Sequence, residues 1–341
     1  MPQALAAPSP DWLRSPGFDL GLIVGVLALA LIAGGVAAIG PELFAVVIFF
    51  DLWLLAYPHV ASMYTRVAFD RASARAHWFL LTVLPPLVLV GTAGVAWIGG
   101  VMALNSVYFF WQSWHYTRQS YGIARAYHRN AGATGRDWLT DAVIYGFPLW
   151  GVLARCHEQH PEFYATELWS PAVPGWLVVG CGAATLAAFA AWGLRCLRDL
   201  RSGWPHSRGY ALFVLSHVVI TAIAYLVIPD ITSGWLFINI WHNAQYLLFV
   251  WAINARQFGG GVDPRRPFLS TLCQPQHVVR YALVCLGLST AFYWSLGQVT
   301  GRADWQILPF VLVIYQAINF HHYLVDAVIW KSRRRAAGPG Q

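Results

Sequence analysis

Long apolar runs separated by short polar stretches dominate this chain, and run length is a stronger signal in it than any two-residue or 3.6-residue alternation. A run of roughly 20 residues is what an α-helix needs to cross a hydrocarbon core of about 30 Å. Such runs fall near 18–40, 42–64, 78–99, 101–122, 139–156, 172–195, 209–229, 233–255, 278–298 and 305–330. The pattern predicts an all-α, polytopic integral membrane bundle of about ten transmembrane helices, since helices satisfy their own backbone polar groups in lipid. Pro148 and Gly151 interrupt the fifth run. Residues 1–17 read as an N-terminal cytoplasmic segment, 18–330 as a single transmembrane domain and 331–341 as a basic cytoplasmic tail. The opening MPQALAAPSPDWLRSPG has neither the basic n-region nor the small-residue cleavage site of a signal peptide, so the first run is expected to remain in the mature chain.

Composition sharpens this picture. The chain is 57% hydrophobic and 11% charged, against roughly 25% charged in an ordinary soluble domain. Its 18 Trp and 15 Tyr sit largely near the ends of apolar runs, where amphipathic rings favour the membrane interface. The net charge of +7 is spread over short loops and makes no continuous basic stripe, which argues against a nucleic-acid partner. It is better explained by retention of positive loops in the cytoplasm. With the N-terminus inside, 20 Lys and Arg fall on the cytoplasmic side and only Arg155 and Arg302 outside. An even number of spans with both termini cytoplasmic is therefore expected, in what reads as a bacterial inner membrane. The five cysteines, Cys156, Cys181, Cys196, Cys273 and Cys285, are odd in number and show no CxxC spacing, so no disulfide framework is expected.

Candidate chemistry lies in the histidines. His77, His128, His157, His160, His206 and His277 fall outside the runs or at their ends, whereas His59, His115, His217, His242, His321 and His322 fall within them. An ionisable side chain inside a span is costly and usually faces the protein interior. At about 1.5 Å rise per residue, five of the six lie roughly 7–14 Å inside the cytoplasmic boundary, and His242 somewhat deeper. Residues three, four or seven apart share a helix face, and these histidines have polar company on their faces. Tyr315, Asn319, His322 and Asp326 form one stripe, and Asn105, Tyr108, Gln112, His115 and Gln119 another, with Arg118 near its cytoplasmic mouth. Asn239, His242, Asn243 and Tyr246 form a third.

A lone intramembrane histidine is more often a hydrogen-bonding group between helices than a ligand. Six at similar depth, with a carboxylate beside them, are what a transition-metal site in a helical bundle requires. The expected ligands are His59, His115, His217, His242, His321 and His322 with Asp326. Gln112, Arg118, Asn239, Asn243, Tyr315 and Asn319 are expected to support them. The bland alternative is a polar network lining a cavity or transport path, and for Arg118 it is snorkelling to headgroups.

In general design the chain resembles the polyhistidine integral-membrane oxygenases, meaning fatty-acid desaturases and hydroxylases and the Brp/Blh carotene-cleaving proteins. The segments that carry the resemblance are YPHVASMYTR, WQSWHYTRQSYGI, WHNAQYL and NFHHYLVDAVIWK. The desaturase boxes HxxxH and HxxHH do not occur, position 318 being isoleucine. The resemblance implies non-haem iron, dioxygen, a lipophilic substrate and an electron-donor protein, hence a membrane-embedded metal-dependent oxidoreductase. The same residues leave open a zinc-dependent membrane lipid hydrolase, a haem protein, and a transporter or proton relay with no metal.

Overall fold

The structure is a computed structural model, and it describes residues 11–158, 160–202, 207–300 and 310–332. Most of the expected N-terminal segment, His206, Arg302, residues 305–309 of the tenth run and nearly all of the basic tail lie outside the described residues. The helices are α1 (Pro16–Ala37), α2 (Pro41–Val67), α3 (Arg71–Ala76), α4 (Trp78–Thr82), α5 (Leu84–Asn130) and α6 (Trp138–His157). They continue with α7 (Gly175–Ser202), α8 (Arg208–Val227), α9 (Ile231–Gln257), α10 (Pro267–Leu272), α11 (Val278–Thr300) and α12 (Phe310–Ser332). Two two-residue strands, Glu162–Phe163 and Thr166–Glu167, lie between α6 and α7. The protein is thus an α-helical bundle.

Six helices, α1, α2, α5, α7, α8 and α11, are long and apolar enough to cross a membrane. Large apolar side chains point outward from them, Ile98 at 88% exposure and Ile32 at 68%, while polar side chains such as Asp51, Gln112 and Thr221 are buried. That inversion is expected where the solvent is lipid. Helices α6, α9 and α12 have 20, 27 and 23 residues and are less apolar because they carry the buried polar groups, among them Asn239, His242, Gln316 and Asp326.

At 47 residues, α5 would be about 70 Å long if straight, twice the hydrocarbon thickness. It is not one helix. Gly100, with φ 63° and ψ −156°, breaks it in the interval between the third and fourth apolar runs. Only glycine enters this backbone region readily.

Local sequence also explains a widening of α2. Leu52–Ala56 forms a π-helical turn directly ahead of Pro58. Proline offers no N–H to the preceding turn and its ring crowds the carbonyl four residues back. Regular α-helix resumes at Tyr57 and carries His59 inward. Another π-turn, Ile223–Val227, ends α8 just before Pro229.

The described residues form two compact units, each discontinuous in sequence. The first draws on Met1–Ile48, Gln112–Tyr164 and Ser170–Gln245, the second on Phe49–Trp111, Ala165–Trp169 and Tyr246–Gln341.

Inside the first unit, α6 and α8 run parallel, tied from Asp137 to Tyr210 at 3.0 Å, from the Ile144 carbonyl to His217 at 2.9 Å, and from Arg155 to the Pro229 carbonyl at 2.8 Å. Their close approach needs Gly151, where a Cβ would lie 2.3 Å from that of Tyr225. Helices α6 and α7 run antiparallel, with Asp137 on Arg195 and Phe147 on Phe189. The C-terminal part of α5 runs parallel to the first part of α9, with Gln112 bonded to Trp235 at 2.6 Å and Gln119 to the His242 carbonyl at 3.1 Å.

Inside the second unit, α2 and α12 run parallel, since His59 meets His322 and Arg66 meets Trp330. Helix α2 is also parallel to α9, through His59–Tyr246 and Thr65–Asn254. It is antiparallel to α11, through Thr65–Tyr281 and Tyr57–Tyr293. Trp111 against Tyr323 and Tyr108 against Phe320 align this stretch of α5 with α12.

Two predictions follow from backbone and caps. Gly100→Ala, where no atom would crowd the new methyl, is expected to destabilise the protein by about 1–3 kcal/mol through φ alone; Gly91→Ala, in regular helix with equal space, is expected to be neutral or stabilising. Thermal unfolding in detergent compares them. The second concerns Asp137, which caps α6 through Thr140 and pairs with Arg195 at 2.8 Å. Burial pushes its carboxyl up, but hydrogen bonds from Arg195 and Thr140 outweigh burial and hold it well below the usual carboxylate range. A depressed folded-state value stabilises above the unfolded value of about 3.9, and that contribution is lost as pH falls below it. Unfolding followed from pH 7 to pH 3 is expected to show this acid loss in the wild type and a flatter profile in Asp137→Asn.

Candidate metal centre

The second unit gathers His59, His322, Asp326 and Tyr246, all buried. The Nε2 atoms of His59 and His322 are 2.7 Å apart, with their rings at 70°. His59 stacks on Tyr246 at 4.1 Å. The Tyr246 hydroxyl donates to Asp326 Oδ1 at 2.5 Å, and Asp326 Oδ2 stands 3.6 Å from His322 Nε2. On the other side of the ring, His322 Nδ1 lies 3.2 Å from the Met63 sulfur.

These partners fix what each nitrogen presents. A thioether sulfur only accepts, so the Nδ1 proton of His322 points at Met63 and Nε2 offers its lone pair. That lone pair faces His59 on one side and a carboxylate oxygen on the other. An imidazole lone pair and a carboxylate 3.6 Å apart repel unless something positive lies between them. A proton on either group or a metal ion meets the need, and two imidazoles with a carboxylate are a donor set for a transition metal.

His321, next in sequence, is engaged elsewhere. Its Nε2 donates to the Leu80 carbonyl at 2.7 Å, and its Nδ1 accepts from the Tyr64 hydroxyl at 3.2 Å. Both ring nitrogens are used, so the ring joins α12 to α4 and α2. Successive residues on a helix point about 100° apart, and that rotation separates the two roles.

In the first unit His115 and His242 are buried with ring centroids 5.0 Å apart. Tyr116 lies 4.1 Å from the His242 ring, and its hydroxyl donates to Asn239 Oδ1. Gln112 contacts the Tyr116 hydroxyl and accepts from the Trp235 indole. The expected helpers Gln112 and Asn239 thus meet in one network beside this pair, and Asn243 is buried on the same helix. His217 is placed otherwise. Its Nε2 donates to the Ile144 carbonyl at 2.9 Å, on the seam of α6 and α8, and its ring lies 6.1 Å from that of Trp241.

Arg118 bonds the Tyr145 hydroxyl and lies over the Tyr121 ring. Tyr315 stacks on Tyr293 at 5.4 Å, and Asn319 bonds Gln316 at 3.4 Å. The sequence pattern does not mark Met63 or Tyr116 as site residues, and it marks Tyr246 only as part of its stripe. Helical spacing held the signal, since Met63 is four residues past His59 and Tyr246 four past His242.

Comparison with family models, with curated proteins and with solved structures finds no match for this chain. The class defined by fold and site is a helical membrane-type bundle with buried histidine clusters.

The Tyr246–Asp326 contact makes a measurable prediction. Removing a donor from a buried carboxylate costs about 1–3 kcal/mol, whereas removing both groups costs less than the sum of the single changes. A double-mutant cycle of Tyr246→Phe and Asp326→Leu, read by denaturant or thermal unfolding, is expected to give a coupling of about 1 kcal/mol or more. Additive effects would separate the two residues.

Proposed function

We propose that this chain is a ten-span protein of a bacterial inner membrane, with both termini cytoplasmic, and that it is a metal-dependent oxidoreductase of the non-haem iron oxygenase, desaturase or hydroxylase type acting on a lipophilic substrate. The helix directions support the topology. If the ten runs cross in turn, runs an even number apart must be parallel and runs an odd number apart antiparallel. The pairs α2 with α9, α2 with α12, and α6 with α8 obey the first rule; α2 with α11 and α6 with α7 obey the second. The break at Gly100 lies where the ten-span count needs an extra reversal.

The observation that carries the metal reading is the position of His322 Nε2, between His59 Nε2 at 2.7 Å and Asp326 Oδ2 at 3.6 Å. Histidine with carboxylate and open positions is the donor chemistry of oxygen-activating iron. Iron held by His59, His322 and Asp326 would supply dioxygen activation. The chain's own residues orient the donors. Met63 fixes the His322 tautomer, and Tyr246 holds one carboxylate oxygen so that the other faces the imidazole. The apolar helices keep water out and admit a substrate from the bilayer. An electron-donor protein on the cytoplasmic side completes the proposal.

A second reading is favoured by one distance. Nitrogen ligands at about 2.1 Å from one metal lie roughly 3 Å or more apart, so 2.7 Å suits an N–H···N hydrogen bond. Tyr246, Asp326, His322 and His59 would then form a proton relay without metal.

Metal analysis with an optical spectrum on detergent-purified protein decides between them, comparing wild type with folded His322→Ala and His115→Ala. Near-stoichiometric iron without a Soret band, lost in His322→Ala together with dioxygen consumption, is the expected result. Zinc with dioxygen-independent activity would point to the lipid hydrolase, and a Soret band to haem. Metal-free protein, with the variants unchanged in folding, would favour the relay.

A further inference from the structure

Three short helices of the second unit gather at one end of it. Helix α2 is parallel to α9 and antiparallel to α11, with Thr65 bonded to Asn254 and to Tyr281, each at 3.1 Å. The last turns of α2 and α9 and the first turn of α11 therefore share a level. The segments that leave or enter there, α3, α4 and α10, share it too. Phe69 stacks on Phe268 at 5.8 Å and Asp70 pairs with Arg266 at 3.6 Å, which holds the start of α3 against the start of α10.

This end turns two kinds of side chain outward. Arg71, Arg75 and Arg265 are exposed and make no ion pair among the described residues, and the first two stand one turn apart on α3. Trp78, Phe79 and Phe268 are exposed as well. The carboxylates beside them have local partners, Asp70 capping α3 through Ser73 and Asp263 accepting the Arg265 backbone N–H. With six, five and six residues, these helices are too short to cross a bilayer. In water their rings would lie uncovered, and in hydrocarbon the guanidinium groups would have no partners. The boundary of a bilayer provides for both, since aromatic rings favour headgroup depth and lipid phosphates face the cations. An acidic soluble protein would also meet the cations. Trp78 and Phe79, however, open α4, which leads directly into the apolar span of α5, so the rings stay with the membrane.

We propose that α3, α4 and α10 lie in the bilayer interface and that Arg71, Arg75 and Arg265 bind the phosphates of anionic phospholipid headgroups. This rests on the membrane-spanning reading of the bundle and is independent of what the histidines hold. It gives α4 two ties. The buried Leu80 presents its carbonyl to His321, so the histidine holds α4 from within and the headgroups hold it from outside.

The test is native mass spectrometry of full-length protein released from a neutral maltoside detergent after incubation with equal amounts of dioleoyl phosphatidylglycerol and dioleoyl phosphatidylcholine. An arginine at an anionic surface is worth roughly a fivefold gain, so the wild type is expected to retain phosphatidylglycerol at least about fivefold over phosphatidylcholine. Arg71→Gln/Arg75→Gln is expected to bring that ratio below about twofold. Arg201→Gln/Arg208→Gln, which removes two exposed arginines from the first unit, is expected to leave it unchanged. Trp78→Ala/Phe268→Ala is expected to lower retention of both lipids and keep their ratio. Should the Arg71 and Arg75 pair fail to fold, Arg71→Gln and Arg265→Gln singly decide, each lowering the ratio in part. Equal losses in the two arginine pairs would reduce the effect to net charge and overturn the proposal. Equal retention of the two lipids by the wild type would overturn it and leave the basic face to an acidic soluble protein. Displacement of the lipid by glycerol phosphate would overturn it as well, making the arginines a site for a soluble anion.

Discussion

In a bilayer the lipid tails solvate a leucine as well as another helix does, so apolar contact alone does not decide which helices meet. The choice falls to polar side chains, which are expensive in hydrocarbon unless another helix satisfies them. Here those contacts form seams. One runs from Asp137 and Tyr210 through Ile144 and His217 to Arg155 and Pro229, and it locks α6 beside α8 along its whole length. Another runs from His59 and His322 to Arg66 and Trp330 along α2 and α12. Each seam fixes direction and register together, because a shift of one residue would rotate its polar groups into lipid.

The same requirement sorts the histidines by what their ring nitrogens face. His217 and His321 each donate from Nε2 to a backbone carbonyl, which commits a proton and ties two elements together. His322 is turned the other way. Its Nδ1 faces a weak acceptor, Met63, and its stronger position is left to face His59 and Asp326. A bundle needing only structural ties would gain nothing from setting a lone pair against a carboxylate.

The sequence made the helical bundle and the burial of its six in-run histidines legible, because run length reports on an apolar surround directly. Helices occur across all ten runs as far as they are described, and the stripe that joined His322 to Asp326 is a real contact. The lateral order of helices was not legible, since periodicity gives a face but not what the face meets. The separation of His321 from His322, the pairing of Tyr116 with Asn239 and the use of Met63 all depended on that order. Arg66 was hidden for a different reason. At the end of an apolar run it counts as a topological charge, and nothing in one chain tells a snorkelling arginine from one whose nitrogens are buried. Gly100 stood among several glycines, and only its positive φ marks it as the break.

Charge balance connects the two ends of the second unit. Arg66 and Asp326 are opposite charges in a medium of low dielectric, so the pair alone is close to neutral. A divalent ion at the His322 end would leave that interior strongly positive, and the expense of burying it falls only if negative charge comes with it. A proton relay asks for no such balance, since the proton that bridges His59 and His322 moves within the group and leaves the interior's total charge as it was.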